Sequence, residues 1–262
     1  MNIGLLIKDV VTLNRKSLLV RYHRLKCLLQ RTFLASDKYT GDPKSIPIII
    51  NNFNRYKYLL QLIGWLNKSG YKNIHILDNK STYGPLLDFY EQTDIPVYYL
   101  DDNKGHLALW KDKVFLKFRN DYFVYTDADL VPIDECPSDF ILHFRAILDK
   151  YRSIEKVGFG LKIDDLPEHY GKRGEVLLWE KKFWEKEVEA DVYDAAVDTT
   201  FALYRPYTNG FRYVPPAFRT GGKYVVRHLP WYENTSSPDE EERFYASHVK
   251  KGASHWIPDK VL

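Results

Sequence analysis

The chain has 262 residues, of which 45% are hydrophobic and 28% charged, with a formal net charge of +3. That length supports one large domain with extensions, and the near-even charge gives no ground for a nucleic-acid partner. Its two cysteines, Cys27 and Cys136, lie too far apart for a disulfide framework or a cysteine zinc site, and fit a reducing compartment such as the cytoplasm.

Residues 1–40 read as a basic amphipathic helical extension and its linker. Leu18, Tyr22, Leu25 and Leu29 recur at helical spacing among Arg15, Lys16, Arg21, Arg24, Lys26 and Arg31, and Asp9 is the only acid before residue 36. No apolar run approaches the roughly 20 residues of a spanning helix. Such a segment can lie on an anionic membrane surface, dock on the protein's own core, or meet a partner subunit. Ser36 to Ser45, with Gly41 and Pro43, reads as the linker.

Residues 41–262 read as one α/β domain. Ile46 to Ile50 predicts a buried strand that runs into Asn54 and Arg55, and Tyr58, Leu59, Leu62, Ile63 and Leu66 predict an amphipathic helix. A second strand ends at Asp78. A helix over about 86–92 follows, then a strand over 97–100 that leads to Asn103 and Gly105. A helix over about 108–118 precedes a fourth, almost wholly apolar strand that stops at Thr126-Asp127-Ala128-Asp129. Alternating strands and helices predict a mainly parallel sheet flanked by helices, with ligands bound beyond the strand ends. Alternate strand residues share a face, so Asp127 and Asp129 can converge on one point. Two carboxylates together need a cation or a shared proton, and Mg²⁺ or Mn²⁺ bridging to substrate phosphates supplies the cation. Asn54, Asp78 and Asn103 can equally serve as turn or cap residues. No G-x-G-x-x-G follows the first strand and no P-loop is present, so a dinucleotide Rossmann site is not supported.

Four elements in order, Asn54-Arg55, Asp78-Asn79-Lys80-Ser81, Asn103-Lys104-Gly105 and Thr126-Asp127-Ala128-Asp129, resemble those of the GT-A nucleotide-sugar glycosyltransferases, in particular the family-2-like group. They span residues 46–132, which the resemblance makes the nucleotide-sugar half, leaving 133–262 for the acceptor. The resemblance implies that Asn54, Arg55, Asp78, Asn103, Gly105 and Asp127 contact a UDP- or GDP-sugar. It also implies that Asp129 ligates Mn²⁺ or Mg²⁺ at the diphosphate. The implied reaction is sugar transfer to a hydroxyl of a glycan or lipid-linked acceptor, inverting or retaining, in surface polysaccharide or glycan biosynthesis. A nucleotidyltransferase would carry a glycine-rich loop after the first strand, and Ile48 to Tyr58 contains no glycine. A sugar-binding module with structural aspartates remains a third reading.

The second half predicts a helix over 139–154, a strand over 157–163 with Gly158 and Gly160, and a helix over 176–189 bearing Trp179, Phe183 and Trp184. Inverting enzymes of this group need a carboxylate that removes the acceptor hydroxyl proton. Asp198 is the candidate base, followed by Thr-Thr where the family has a second acid, and Asp191 and Asp194 compete. His228, expected at the end of a short strand after Gly221-Gly222, is the candidate third metal ligand with Asp127 and Asp129. Lys223 and Arg227 can meet phosphate, and Trp231 and Tyr232 a sugar face. A final helix over 238–249 is expected to keep its acid cluster in solvent.

Overall fold

The computed structural model describes residues 3–34, 41–197 and 201–249, with side chains from Ser17 onward. Helix α1 (Ile3–Leu34) comes first. The predicted alternation follows as β1 (Ile48–Asn52), α2 (Lys57–Lys68), β2 (Ile74–Asp78), α3 (Gly84–Gln92) and β3 (Val97–Tyr99). Then come the short helices α4 (Ala108–Lys111) and α5 (Phe115–Phe118), then β4 (Phe123–Asp127), β5 (Leu130–Pro132) and α6 (Phe140–Lys150). The rest of the chain supplies β6 (Lys156–Leu161), α7 (Arg173–Lys181), β7 (Glu187–Glu189), β8 (Val192–Asp194), β9 (Ala202–Tyr204), β10 (Ala217–His228) and α8 (Glu240–His248).

One sheet holds all ten strands in the order β3-β2-β1-β4-β9-β6-β10-β8-β7, with β5 against β10. Strands β3, β2, β1 and β4 are mutually parallel, as their helical crossovers require. Beyond them β9 inserts antiparallel between β4 and β6, and β10 lies parallel to β6. Both faces of the central strands are covered, so they read as unbroken apolar runs. Ile48 and Ile50 of β1 and Val124 of β4 join one core with Leu59, Leu62 and Phe140. Ile49, Phe123 and Tyr125 point the other way, to Leu109, Trp110, Phe115 and Tyr204.

Two predicted helices are shorter than their apolar spacing implies. The one over 108–118 breaks because Asp112 is extended (φ −107°, ψ 162°), and its carboxylate pairs with Lys104. The one over 176–189 ends at Lys181, and residues 187–189 become β7, paired to β8. There Trp184 closes on Gly160, where an added Cβ would stand 2.5 Å from the indole ring and 2.6 Å from the Thr220 carbonyl. The space a side chain would need at Gly160 is therefore taken by the chain itself.

Candidate active site

A cleft of about 480 Å³ opens at the carboxyl ends of β1, β4, β6 and β10. This is where an open α/β sheet presents its loops, and the volume suits a small-molecule ligand. Of the residues expected there, Arg55, Asn103, Gly105, Asp127, Asp129 and His228 line it.

Strand pairing builds the Asp129–His228 pair. After β4 the chain turns at Ala128 and Asp129 into β5, which runs antiparallel to the end of β10 with Leu130 opposite His228. The Leu229 N–H donates to the Asp129 carbonyl (2.9 Å), and His228 Nε2 stands 3.5 Å from Asp129 Oδ2. Burial pushes the Asp129 carboxyl up, but the charge and hydrogen bond of His228, with the charge of Arg55, outweigh it and hold it below its ordinary value.

The expected metal set of Asp127, Asp129 and His228 lines one cleft without meeting at one point. Among the described residues no three His, Cys, Asp or Glu side chains converge on a point that could hold a metal ion. Asp127 is the last residue of β4 and Asp129 already belongs to the turn, so the two-residue alternation of a strand no longer aligns them. Asp127 Oδ1 instead accepts from Asn51 Nδ2 (2.9 Å), its cross-strand neighbour in register. What remains for a cation is one carboxylate and one imidazole. His228 Nδ1 is buried with no partner among the described residues, which leaves Nε2 as the nitrogen beside Asp129. This donor set suits Mn²⁺ or Mg²⁺ when phosphate oxygens and water fill the other positions.

Asn54 and Asp78 are sealed beneath the cleft rather than lining it. Asn54 is fully buried in a left-handed conformation (φ 53°), and its Oδ1 accepts from the N–H groups of Thr82 (2.7 Å) and Tyr83 (3.1 Å). Asp78 Oδ2 accepts from the Ser81 N–H (2.9 Å) and Oδ1 from the Tyr90 hydroxyl (3.1 Å). Asn54 thus ties the end of β1 to the loop after β2, and Asp78 ties that loop to α3, the turn role open to both on sequence alone. Asn103 Oδ1 accepts from the Gly105 N–H (2.9 Å), and Gly105 takes a left-handed φ of 68° that favours glycine. Asp198 lies outside the described residues; Ala196 and Val197, just before it, line the cleft.

Other cleft residues had little local signal. Asn51, Asn52 and Asn79 form its floor, and Asn79 Nδ2 donates to Asn51 Oδ1. Two asparagines ending an otherwise isoleucine strand were the readable hint. Glu180 and Arg219 form a buried ion pair (2.7 Å) in the wall, with Arg219 over the Phe183 ring. Tyr245 of α8 stacks on Arg55, whose guanidinium carbon is 3.5 Å from the ring centroid and which pairs with Glu242. Arg227 is committed to Asp165 (2.6 Å) and Tyr232 donates to the same carboxylate (2.6 Å), so neither joins the cleft, whereas Trp231 does.

Neither a family model nor a curated protein sequence matches the chain. Several solved structures are similar in fold. A mannosyltransferase from Pyrobaculum calidifontis, in complex with GDP-Man and Mn²⁺, aligns over 89% of this chain and 72% of its own, at 13% identity and a TM-score of 0.45. GalNAc-T7 with UDP, GalNAc and Mn²⁺ aligns over 81% of this chain and 52% of its own, at 16% identity and a TM-score of 0.47. Glucosyl-3-phosphoglycerate synthase from Mycobacterium tuberculosis, with Mn²⁺ and UDP-glucose, aligns over 62% and 56%, at 14% identity and a TM-score of 0.38. The chain thus spans little more than half the length of the latter two. Likeness at this level says nothing about chemistry, which the cleft itself has to support.

Proposed function

We propose that this protein is a metal-dependent glycosyltransferase of the GT-A kind, moving a sugar from a UDP- or GDP-sugar to a hydroxyl of a glycan or lipid-linked acceptor in surface polysaccharide or glycan biosynthesis. The observation that carries the reading is the Asp129–His228 pair in the cleft lining, assembled from two segments distant in sequence. Asp129 and His228 would hold Mn²⁺ or Mg²⁺, which when bound neutralises charge on the departing diphosphate. Arg55 Nε and Asn52 Oδ1 are buried without partners among the described residues, a donor and an acceptor ready for a ligand in the cleft they line. On the far wall Trp179, half exposed, and Phe183 offer aromatic faces to an acceptor. Asp198 is assigned as the base that takes the acceptor hydroxyl proton while the oxygen attacks the anomeric carbon, with inversion. Two buried, unpaired cysteines support a cytoplasmic setting.

The test is a panel of UDP- and GDP-sugars assayed for release of nucleoside diphosphate with Mn²⁺. One donor is expected to turn over, with loss of activity on chelation and in His228→Ala, and an inverted anomeric configuration by NMR. Release that ignores both chelator and the substitution would overturn the reading.

A further inference from the structure

Helix α1 is fastened to the domain through its polar side. Cys27 and Arg31 are buried against it, and Arg31 donates to the Pro206 carbonyl (3.1 Å) and to Thr208 Oγ1 (3.2 Å). Glu155 draws Arg24 and Arg31, each at 3.7 Å. The apolar residues face away from this seat. Leu18, Tyr22, Leu25 and Leu29 are 63%, 57%, 55% and 48% exposed. Their spacing of four, three and four residues places them on one stripe opposite Cys27 and Arg31. A soluble domain rarely leaves so long an apolar row to water without a partner.

The charges beside the stripe identify that partner. Arg21 and Lys26 flank it and are exposed, and residues 10–36 contain six basic side chains and no acid. A second copy packed along the stripe would set Arg21 and Lys26 of one helix against the same cations of the other, a like-charge clash. An anionic lipid surface meets both features, taking apolar side chains at the acyl boundary and cations at the phosphates. Among the described residues no helix is long and apolar enough to cross a membrane, so the contact lies along the surface.

We propose that the outward stripe of α1 lies in the headgroup region of an anionic bilayer, with Leu18, Tyr22, Leu25 and Leu29 inserted and Arg21 and Lys26 on lipid phosphates. The seat at Glu155, Pro206 and Thr208 adjoins the start of β6 and follows β9, whereas the end of β6 lines the cleft. Lipid and nucleotide therefore use different surfaces, and this contact stands independently of the transferase reading.

The test is co-sedimentation of the full chain with phosphatidylcholine vesicles, with and without phosphatidylglycerol, beside light scattering of the free protein. Wild type should partition roughly tenfold or more into the anionic vesicles, as expected from two basic residues each favourably placed at such a surface. High salt should weaken this, and both Leu25→Glu with Leu29→Glu and Arg21→Glu with Lys26→Glu should abolish it. Far-UV circular dichroism and nucleotide affinity should stay unchanged, because these side chains are exposed. Equal binding to both vesicle types, no binding, or binding that survives both pairs of substitutions would overturn the proposal. A doubled mass that Leu25→Glu abolishes, without vesicle binding, would give the stripe to a second copy instead.

Discussion

At the scale of single residues, the two carboxylates of the Asp-Ala-Asp stretch meet different neighbours because a strand ends between them. Asp127 keeps its strand register and its bond to Asn51, while Asp129 is carried by the turn to His228. Asp78 is buried at the end of β2 and bonded to Ser81 and Tyr90. Burial raises its carboxyl above the ordinary range, while the hydrogen bonds from Ser81 and Tyr90 pull it down. The folded chain therefore binds more protons than the unfolded one between the ordinary value near about 4 and the raised one. Stability falls as pH rises through that window, and the penalty is fully present above it. Asp78→Asn removes the titration and keeps an acceptor for the Ser81 N–H, while an amide N–H replaces the oxygen that accepts from Tyr90. Urea unfolding at about pH 7 and about pH 4 should show wild type gaining on the variant as pH falls. A difference that is flat or shrinks on acidification would contradict a raised Asp78.

At the scale of elements, α8 is the part least anticipated by its own sequence. Its run of acids reads as a solvated face, yet Glu241 is buried and Glu242 half-buried. Helix α2 begins after Tyr56, which gives no side-chain cap, and Glu241 supplies one by accepting from the N–H groups of Tyr56 (3.1 Å) and Lys57 (2.9 Å). Glu242 accepts from Tyr58 (2.7 Å) and pairs with Arg55, and Lys57 reaches Glu233 (2.8 Å) and Asp239 (2.7 Å). These contacts hold Arg55 and Tyr245 at the cleft. No local pattern tells which of three successive glutamates turns inward, since the partners lie almost the whole domain away in sequence. Glu241→Ala is expected to cost about 1–3 kcal/mol by leaving two helix-start N–H groups unpaired. The same change at exposed Glu240 should stay within about 0.5 kcal/mol. Equal urea midpoints for the two variants would contradict the cap.

At the scale of the whole molecule, the half from Ile46 to Pro132 was legible because its structure is local. Each strand is a short apolar run, each crossover a helix at the spacing of Tyr58, Leu62 and Leu66, and each strand end a cluster of polar residues. The second half was not, because β9 inserts between β4 and β6, and β10 pairs with β5, β6 and β8 in turn. Those pairings are long-range, and they alone bring His228 to Asp129 and Arg219 to Glu180. His228 could be chosen from its place near a strand end, but Glu180 in its charged helix could not. The proposed function rests on the Asp129–His228 pair as a metal-dependent nucleotide site. Calorimetric titration of UDP and GDP with Mn²⁺ and with chelator, on wild type and Asp129→Ala, tests it most directly. One nucleotide should bind only with metal, and Asp129→Ala should lose this binding. Binding that is equal with chelator and unchanged in Asp129→Ala would contradict it.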